Sequence, residues 1–89
     1  MNQKPSLAQA WGIVIRAQRM ARGWTQGQLA RRVGIHRPIV SATEAGRRGD
    51  PILRTVYDYG QAMGIPAAEL ICQVDAILCR AECDEDEAG

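Results

Sequence analysis

Signals for the start and the end of short helices recur along the whole chain, and they constrain its fold more than any other feature. Glycines follow apolar runs with a period near 3.6 residues, and capping residues or prolines precede those runs. No stretch of useful length alternates apolar and polar residues as a β-strand does. These signals predict an all-α domain with five helices, at about 7–22, 26–33, 37–44, 51–63 and 66–82.

The residues before three of these helices fix their expected start points. Ser6 and Thr25 are good N-caps, and Gln28 completes a capping box with Thr25. Asp50 is expected to cap the fourth helix, with Pro51 at its first position, where a missing N–H group is tolerated.

The chain length of 89 residues allows one small domain. We expect an N-terminal arm at 1–5, a domain at 6–82 that ends in a dimerisation helix at 66–82, and a disordered acidic tail at 83–89. No apolar run approaches the length of a membrane helix and no signal peptide precedes the domain, so we expect a cytoplasmic protein. The sequence lacks the motifs of metalloproteases and phosphate-binding loops, so we expect neither an enzyme nor a cofactor.

The second and third predicted helices are short and are joined by a tight turn at Gly34. This is the geometry of a helix-turn-helix, whose second helix lies in the major groove of DNA. Ala30 is small where the two helices cross. Four apolar residues are expected to be buried together between them: Leu29, Val33, Ile35 and Val40.

Basic residues are concentrated between Arg16 and Arg48, a segment with eight arginines and one acidic residue, Glu44. The last eight residues carry five acidic side chains and no basic one, so the formal net charge of +1 hides this separation. A dense basic segment is typical of a protein with a polyanionic partner, and a solvated basic face is the alternative. Every basic residue of the segment is arginine, which forms bidentate contacts with phosphate.

The fifth predicted helix is apolar on two sides, which predicts packing on two sides. One face would cover the domain core and the other a second subunit, so we expect a homodimer with this helix in its interface. The sequence does not say which face contacts the partner. The candidate interface residues are Leu70, Val74, Ile77, Leu78, Cys72 and Cys79.

The three cysteines, Cys72, Cys79 and Cys83, all lie in this last helix region. We favour the interpretation that these cysteines serve as small buried apolar residues. A metal site and a redox switch or intersubunit disulfide are alternatives, although no C-x-x-C motif and no nearby histidine supports a metal.

Residues 12–71 resemble the phage repressor and Cro-type helix-turn-helix proteins, the XRE family. The resemblance implies a compact five-helix, lambda-repressor-like DNA-binding domain that acts as a symmetric dimer. The matching residues are Gly12, Ile15, Arg16, Arg19, Gly23, Trp24, Thr25, Gln26, Leu29, Ala30, Val33, Gly34, Ile35, Val40, Ser41, Glu44, Gly46, Thr55, Ala62, Met63, Gly64, Ile65, Glu69 and Leu70.

The resemblance also implies roles for individual residues. Gln26 resembles the phosphate-contacting glutamine of the family, at a helix N-terminus that attracts an anion. Arg37 is the candidate for direct base recognition, since arginine binds guanine O6 and N7. The expected base contacts are His36, Arg37, Pro38, Ser41 and Ala42, and the expected phosphate contacts are Arg19, Thr25, Gln26, Arg47 and Arg48.

Arg19 and Glu44 match a partly buried ion pair of the family that links the first helix to the end of the recognition helix. Because Glu44 is the only acidic residue of the basic segment, a structural partner explains it better than solvent exposure.

The sequence therefore predicts a small dimeric repressor that binds a pseudo-palindromic operator on double-stranded DNA. The resemblance implies a regulator of the plasmid, phage or restriction–modification control type, which the sequence does not separate, and together with the small size it implies repression of its own promoter. One alternative is an antitoxin that binds both DNA and a toxin protein. Another is a protein-interaction module without DNA binding. No membrane and no small-molecule ligand is expected.

Overall fold

The computed structural model describes residues 4–88, with side chains through residue 80. The described residues form five helices and no strand, which confirms the predicted all-α fold. The first three residues of the predicted arm lie outside the described residues, and so do the side chains of Cys83 and of the acidic tail. The helices are α1 (Leu7–Ala21), α2 (Gln26–Val33), α3 (Arg37–Glu44), α4 (Leu53–Met63) and α5 (Ala67–Ala88).

Local hydrogen bonds start α1 and α2 where the sequence predicts. Ser6 accepts a hydrogen bond from the Gln9 backbone N–H at 3.1 Å, and the Gln9 side chain returns a bond to Ser6. Thr25 and Gln28 form the same reciprocal pair at the start of α2. Both boundaries depend on residues three positions apart, so the sequence alone specifies them.

The fourth helix begins later than the sequence predicts. Its N-cap is Ile52, which makes no side-chain capping bond, and Asp50 does not cap it. Residues 50–52 instead belong to the connection between α3 and α4 and lie outside both helices. The extended backbone of Ile52, with φ −82° and ψ 164°, cannot continue a helix from Pro51, so α4 starts at Leu53.

The fifth helix continues to Ala88, beyond the expected end near Glu82 and through the residues for which a disordered tail was expected. Neither glycine nor proline interrupts the sequence from Ala67 to Ala88, and alanine and glutamate favour the helical backbone.

The core is largely aliphatic, with one aromatic pair at its centre. The rings of Trp11 and Tyr59 meet edge to face, with centroids 5.5 Å apart. This contact joins α1 to α4. The buried apolar residues of the core are Ala10, Trp11, Val14, Ile15, Leu29, Ala30, Val40, Val56, Tyr59, Met63, Leu70 and Val74.

Gly12 allows α1 to lie directly on α3. A Cβ atom at this position would collide with the backbone carbonyl oxygen of Thr43, and it would also meet that of Glu44. The missing side chain therefore brings α1 and the C-terminal end of α3 into backbone contact.

The structure decides which face of α5 covers the core. Leu70 and Val74 are buried against the protomer's own helices and therefore belong to its core, while their contribution to a dimer interface stays a prediction. Ile77 and Leu78 pack partly against the same core. Cys72 and Cys79 lie exposed on the outside, so they are not small buried core residues of the protomer. Periodicity identifies two apolar faces, but only tertiary packing assigns each face a neighbour.

No single helix in the described part of the chain is long and apolar enough to cross a membrane. Only α4 and α5 taken together reach that length and apolar composition, and the chain bends by 109° between them.

Candidate nucleic-acid interface

The α2–α3 pair has the predicted helix-turn-helix geometry. Gly34 adopts a φ of +91°, a left-handed conformation that suits glycine, and it ends α2. The following Ile35 donates a 2.9 Å backbone hydrogen bond to Ala30, which folds the turn back onto α2. Leu29 and Val40 are fully buried between the helices. The buried contacts leave the opposite face of α3 free.

That free face begins with three exposed residues, His36, Arg37 and Pro38. His36 is the N-cap of α3 but makes no side-chain capping bond, so its imidazole is available to a partner. Ser41 and Ala42 lie one turn further along and are half-buried. The five residues expected to contact bases therefore all retain exposed surface.

Arg19 and Glu44 form a bidentate ion pair between α1 and the last residue of α3. The Arg19 Nε donates to Glu44 Oε2 at 2.6 Å, and Nη2 donates to Oε1 at 3.0 Å. A third bond runs from Nη1 to the carbonyl oxygen of Trp24 at 2.7 Å. The hydrogen bonds to Glu44 raise the pKa of Arg19 above its ordinary value, so this arginine remains charged.

This ion pair is mostly shielded from solvent, with 13% of the Arg19 side chain and 4% of the Glu44 side chain exposed. Three of the five N–H groups of the guanidinium are used inside the protein, so two remain for an external contact. Arg19 is therefore first a structural residue that ties α1 to α3.

Gln26 is anchored by the same carboxylate. Its Nε2 donates to Glu44 Oε1 at 3.0 Å, across 18 positions of sequence. The bond fixes the side-chain amide at the start of α2 and leaves the amide oxygen and one N–H free. The neighbouring Thr25 is exposed, and its hydroxyl oxygen accepts the capping bond from Gln28. Sequence reasoning missed the link from Gln26 to Glu44, which no local spacing signals.

Arg47 and Arg48 follow the end of α3 after two intervening residues and are both exposed. The backbone N–H of Arg47 bonds to the carbonyl of Ala42 at 2.9 Å, and Gly46 turns the chain with a φ of +75°. This turn places two guanidinium groups at the C-terminal end of the recognition helix.

Two arginines of the basic segment have an aromatic partner that sequence reasoning also missed. Arg32 lies 4.2 Å from the ring centroid of Trp24, and Arg22 lies 5.8 Å from it. Arg22 also donates to the carbonyl of Met63 at 2.9 Å. With Arg19, three of the eight arginines therefore have structural partners, so fewer guanidinium groups are free for direct contacts with a polyanion than the sequence suggests.

An exposed α3 face, an anchored glutamine at the start of α2 and two arginines after α3 together define a helix-turn-helix DNA-binding domain.

Known proteins agree with this class. A family model described as helix-turn-helix matches residues 15–70. An uncharacterized HTH-type transcriptional regulator, y4dJ, from Sinorhizobium fredii is 35% identical over 57 residues, which cover 64% of this chain and 73% of that protein. Because the family model matches more than half of the chain, the protein belongs to this helix-turn-helix family, and it is a DNA-binding transcriptional regulator.

Two solved structures share the fold. The clp gene regulator ClgR from Corynebacterium glutamicum superposes with a TM-score of 0.81 and 23% identity, over 97% of this chain and 90% of that chain. The likeness to this structure shows the fold alone. A hypothetical transcription factor, NHTF, from Neisseria has a TM-score of 0.68 and 30% identity, over 79% of both chains.

Proposed function

We propose that the protein is a dimeric repressor that binds a pseudo-palindromic operator with α3 in the major groove. The observation that carries this proposal is the Glu44 carboxylate, which holds both Arg19 and Gln26. This carboxylate fixes the start of α2 relative to the end of α3 and ties both to α1. A rigid frame of this kind presents α3 to DNA at one depth and angle.

Base recognition is assigned to the exposed start of α3. Arg37 binds guanine through its two-pronged guanidinium, and Ala42 offers a methyl group to thymine. Ser41 contacts a base or a phosphate, and His36 and Pro38 flank Arg37 on the same exposed face.

Phosphate contacts are assigned to residues on both sides of α3. Thr25 and Gln26 lie at the N-terminus of α2, where backbone N–H groups favour an anion. Arg47 and Arg48 lie beyond the C-terminal end of α3. Arg19 has two N–H groups left for a contact with a DNA phosphate. Such contacts hold the domain in register without carrying sequence information.

The proposed dimer uses an apolar face formed by α1, α4 and α5. The face surrounds a groove of about 240 Å³ between the three helices. Three large apolar side chains that line this groove are exposed in the protomer, namely Leu7, Leu53 and Ile71. A second copy of the chain is the proposed occupant, because Ile71 extends the face onto the helix that sequence reasoning places in the interface.

The two-fold symmetry of such a dimer places the two α3 helices about 34 Å apart, one turn of DNA. We propose that the concentration of the protein and its dimerisation control repression of its own promoter in the cytoplasm.

Selection from a random pool of duplex DNA at near-physiological salt, with the mass measured in the same buffer, tests this function. We expect an inverted repeat bound by a species of twice 9.7 kDa. Arg37→Ala is expected to relax one base pair in each half-site. An unchanged selected sequence would refute the assignment of Arg37.

Arg54→Ala is the matched control, because Arg54 is an exposed arginine of α4 that has no proposed contact with DNA. Failure to enrich any sequence would refute the proposal, and a search for a toxin protein bound to the apolar face would follow.

A further inference from the structure

Gly27 lies in the first turn of α2, and neither the backbone nor the packing of the domain requires a glycine there. Its φ is outside the left-handed region that Gly23, Gly34, Gly46 and Gly64 adopt. A Cβ atom at position 27 would have no neighbour closer than 3.9 Å, so no close helix contact depends on the missing side chain. Glycine also destabilises a helix relative to alanine. The fold alone therefore does not explain this residue.

The two atoms nearest to this open position belong to residues of the proposed DNA interface. They are the Cδ of Arg37, at the start of α3, and the hydroxyl oxygen of Thr25, each 3.9 Å from where the Cβ would lie. The aliphatic stem of Arg37 therefore runs beside the first turn of α2, over the surface that Gly27 leaves without a side chain. A proposed base contact and a proposed phosphate contact thus flank one glycine.

Arg37 is also unfavourable for the local structure of its own helix. It is the first residue of α3, where a positive charge opposes the helix dipole, and the preceding N-cap, His36, makes no side-chain capping bond. Within the described part of the chain, Arg37 forms no ion pair that would offset this charge. Gly27, His36 and Arg37 each break a local rule, and such residues gather at functional positions.

We propose that Gly27 is a positioning residue for base recognition, because its missing side chain leaves the space in which the stem of Arg37 extends toward DNA. The inference rests on the proposed function, in which Arg37 binds guanine. A longer side chain at position 27 would occupy that space and displace the guanidinium. Two of its N–H groups must meet guanine O6 and N7 at the same time, so a small displacement is enough to lose the contact.

Side chains of graded size at position 27 test this role in the full chain. Gly27→Ala adds only a Cβ, which would be in ordinary van der Waals contact with Arg37. Gly27→Leu and Gly27→Gln add longer side chains that reach the Arg37 stem. Alanine, leucine and glutamine all favour a helix more than glycine does, so the three variants are expected to be at least as stable as the wild-type protein. Urea denaturation measures that stability.

The affinities for two duplexes give the specificity of each variant. One duplex carries the inverted repeat that the wild-type protein selects, and the other carries a substitution at the base pair that Arg37→Ala relaxes. We expect the wild-type protein and Gly27→Ala to prefer the first duplex by about tenfold for each half-site. Gly27→Leu and Gly27→Gln are expected to lose most of this preference without a loss of stability. Full preference in both variants would overturn the proposal.

A double-mutant cycle shows whether position 27 acts through Arg37. In the Arg37→Ala protein, Gly27→Leu is expected to leave the affinity for both duplexes unchanged, since the stem that leucine would displace is absent. An equal loss of affinity with and without Arg37 would mean that leucine collides with DNA directly, and it would overturn the positioning role. Arg48→Ala is the control background, in which Gly27→Leu should have its full effect.

The same measurements separate this inference from the proposed function. If the wild-type protein selects no sequence, base recognition by Arg37 is refuted and the role of Gly27 is refuted with it. If Arg37→Ala relaxes a base pair of the selected repeat and Gly27→Leu does not, the proposed function stands and the inference alone is refuted.

Discussion

The side-chain amide of Gln26 donates a 3.0 Å hydrogen bond to Glu44, which joins the first residue of α2 to the last residue of α3. The same carboxylate accepts two bonds from Arg19 of α1. One side chain therefore fixes three helices at the proposed DNA interface, and it links the stability of the domain to its function.

Glu44→Gln is expected to destabilise the protein strongly. The substitution keeps the shape of the side chain but leaves the Arg19 charge with 13% exposure and no carboxylate. Loss of one partner of a shielded pair costs about 3–5 kcal/mol of unfolding free energy, which urea denaturation measures. The control is Asp58→Asn, which breaks the exposed pair with Arg54 and is expected to cost less than about 1 kcal/mol. Similar losses in the two variants would contradict a structural role for Glu44.

Gln26→Ala and Arg48→Ala are expected to weaken DNA binding in different ways. Both remove a proposed phosphate contact, so affinity should fall for all sequences alike. Arg48→Ala also removes a charge, and it should reduce the slope of log K against log salt by about 0.9 per protomer on duplex DNA. Gln26→Ala removes no charge and should leave the slope unchanged. A titration of affinity against salt distinguishes them, and a changed slope for Gln26→Ala would contradict its assignment.

Gly12→Ala is expected to destabilise the domain by at least about 2 kcal/mol, because the added Cβ meets the backbone of α3 rather than a movable side chain. Gly27→Ala is the matched control, since it is also a helical glycine but its added Cβ would have no neighbour closer than 3.9 Å. The control should gain up to about 1 kcal/mol from helix propensity. Thermal or urea unfolding gives both values, and a stable Gly12→Ala variant would contradict the close contact of α1 with α3.

The double substitution Leu53→Gln with Ile71→Gln is expected to give a folded monomer with weaker operator binding. Both side chains are exposed in the protomer, so the change removes apolar surface from the proposed interface without opening the core. Sedimentation gives the mass, and circular dichroism reports the fold. Met20→Gln removes an exposed apolar side chain of α1 outside the groove and should remain dimeric. A double variant of unchanged mass would place the dimer interface elsewhere.

Some parts of the proposed site follow from local sequence. The capping boxes of Ser6 and Thr25, the turn at Gly34 and the exposed start of α3 depend on residues within a few positions of one another. The interactions that stabilise them act over the same short range, so spacing alone predicts them. The pairing of Arg19 with Glu44 required the family resemblance, because 25 positions separate the two residues.

Only the tertiary structure decided which surfaces are buried and which stay exposed. The sequence showed two apolar faces on α5, but packing against α1 and α4 buried Leu70 and Val74 and left Cys72 exposed. The link from Gln26 to Glu44 and the approach of Arg37 to Gly27 likewise follow from how the helices meet. Helix formation and capping are governed by neighbours in the chain, so this sequence determined its helices. Burial and long-range polar contacts are governed by neighbours in space, which no periodicity specifies.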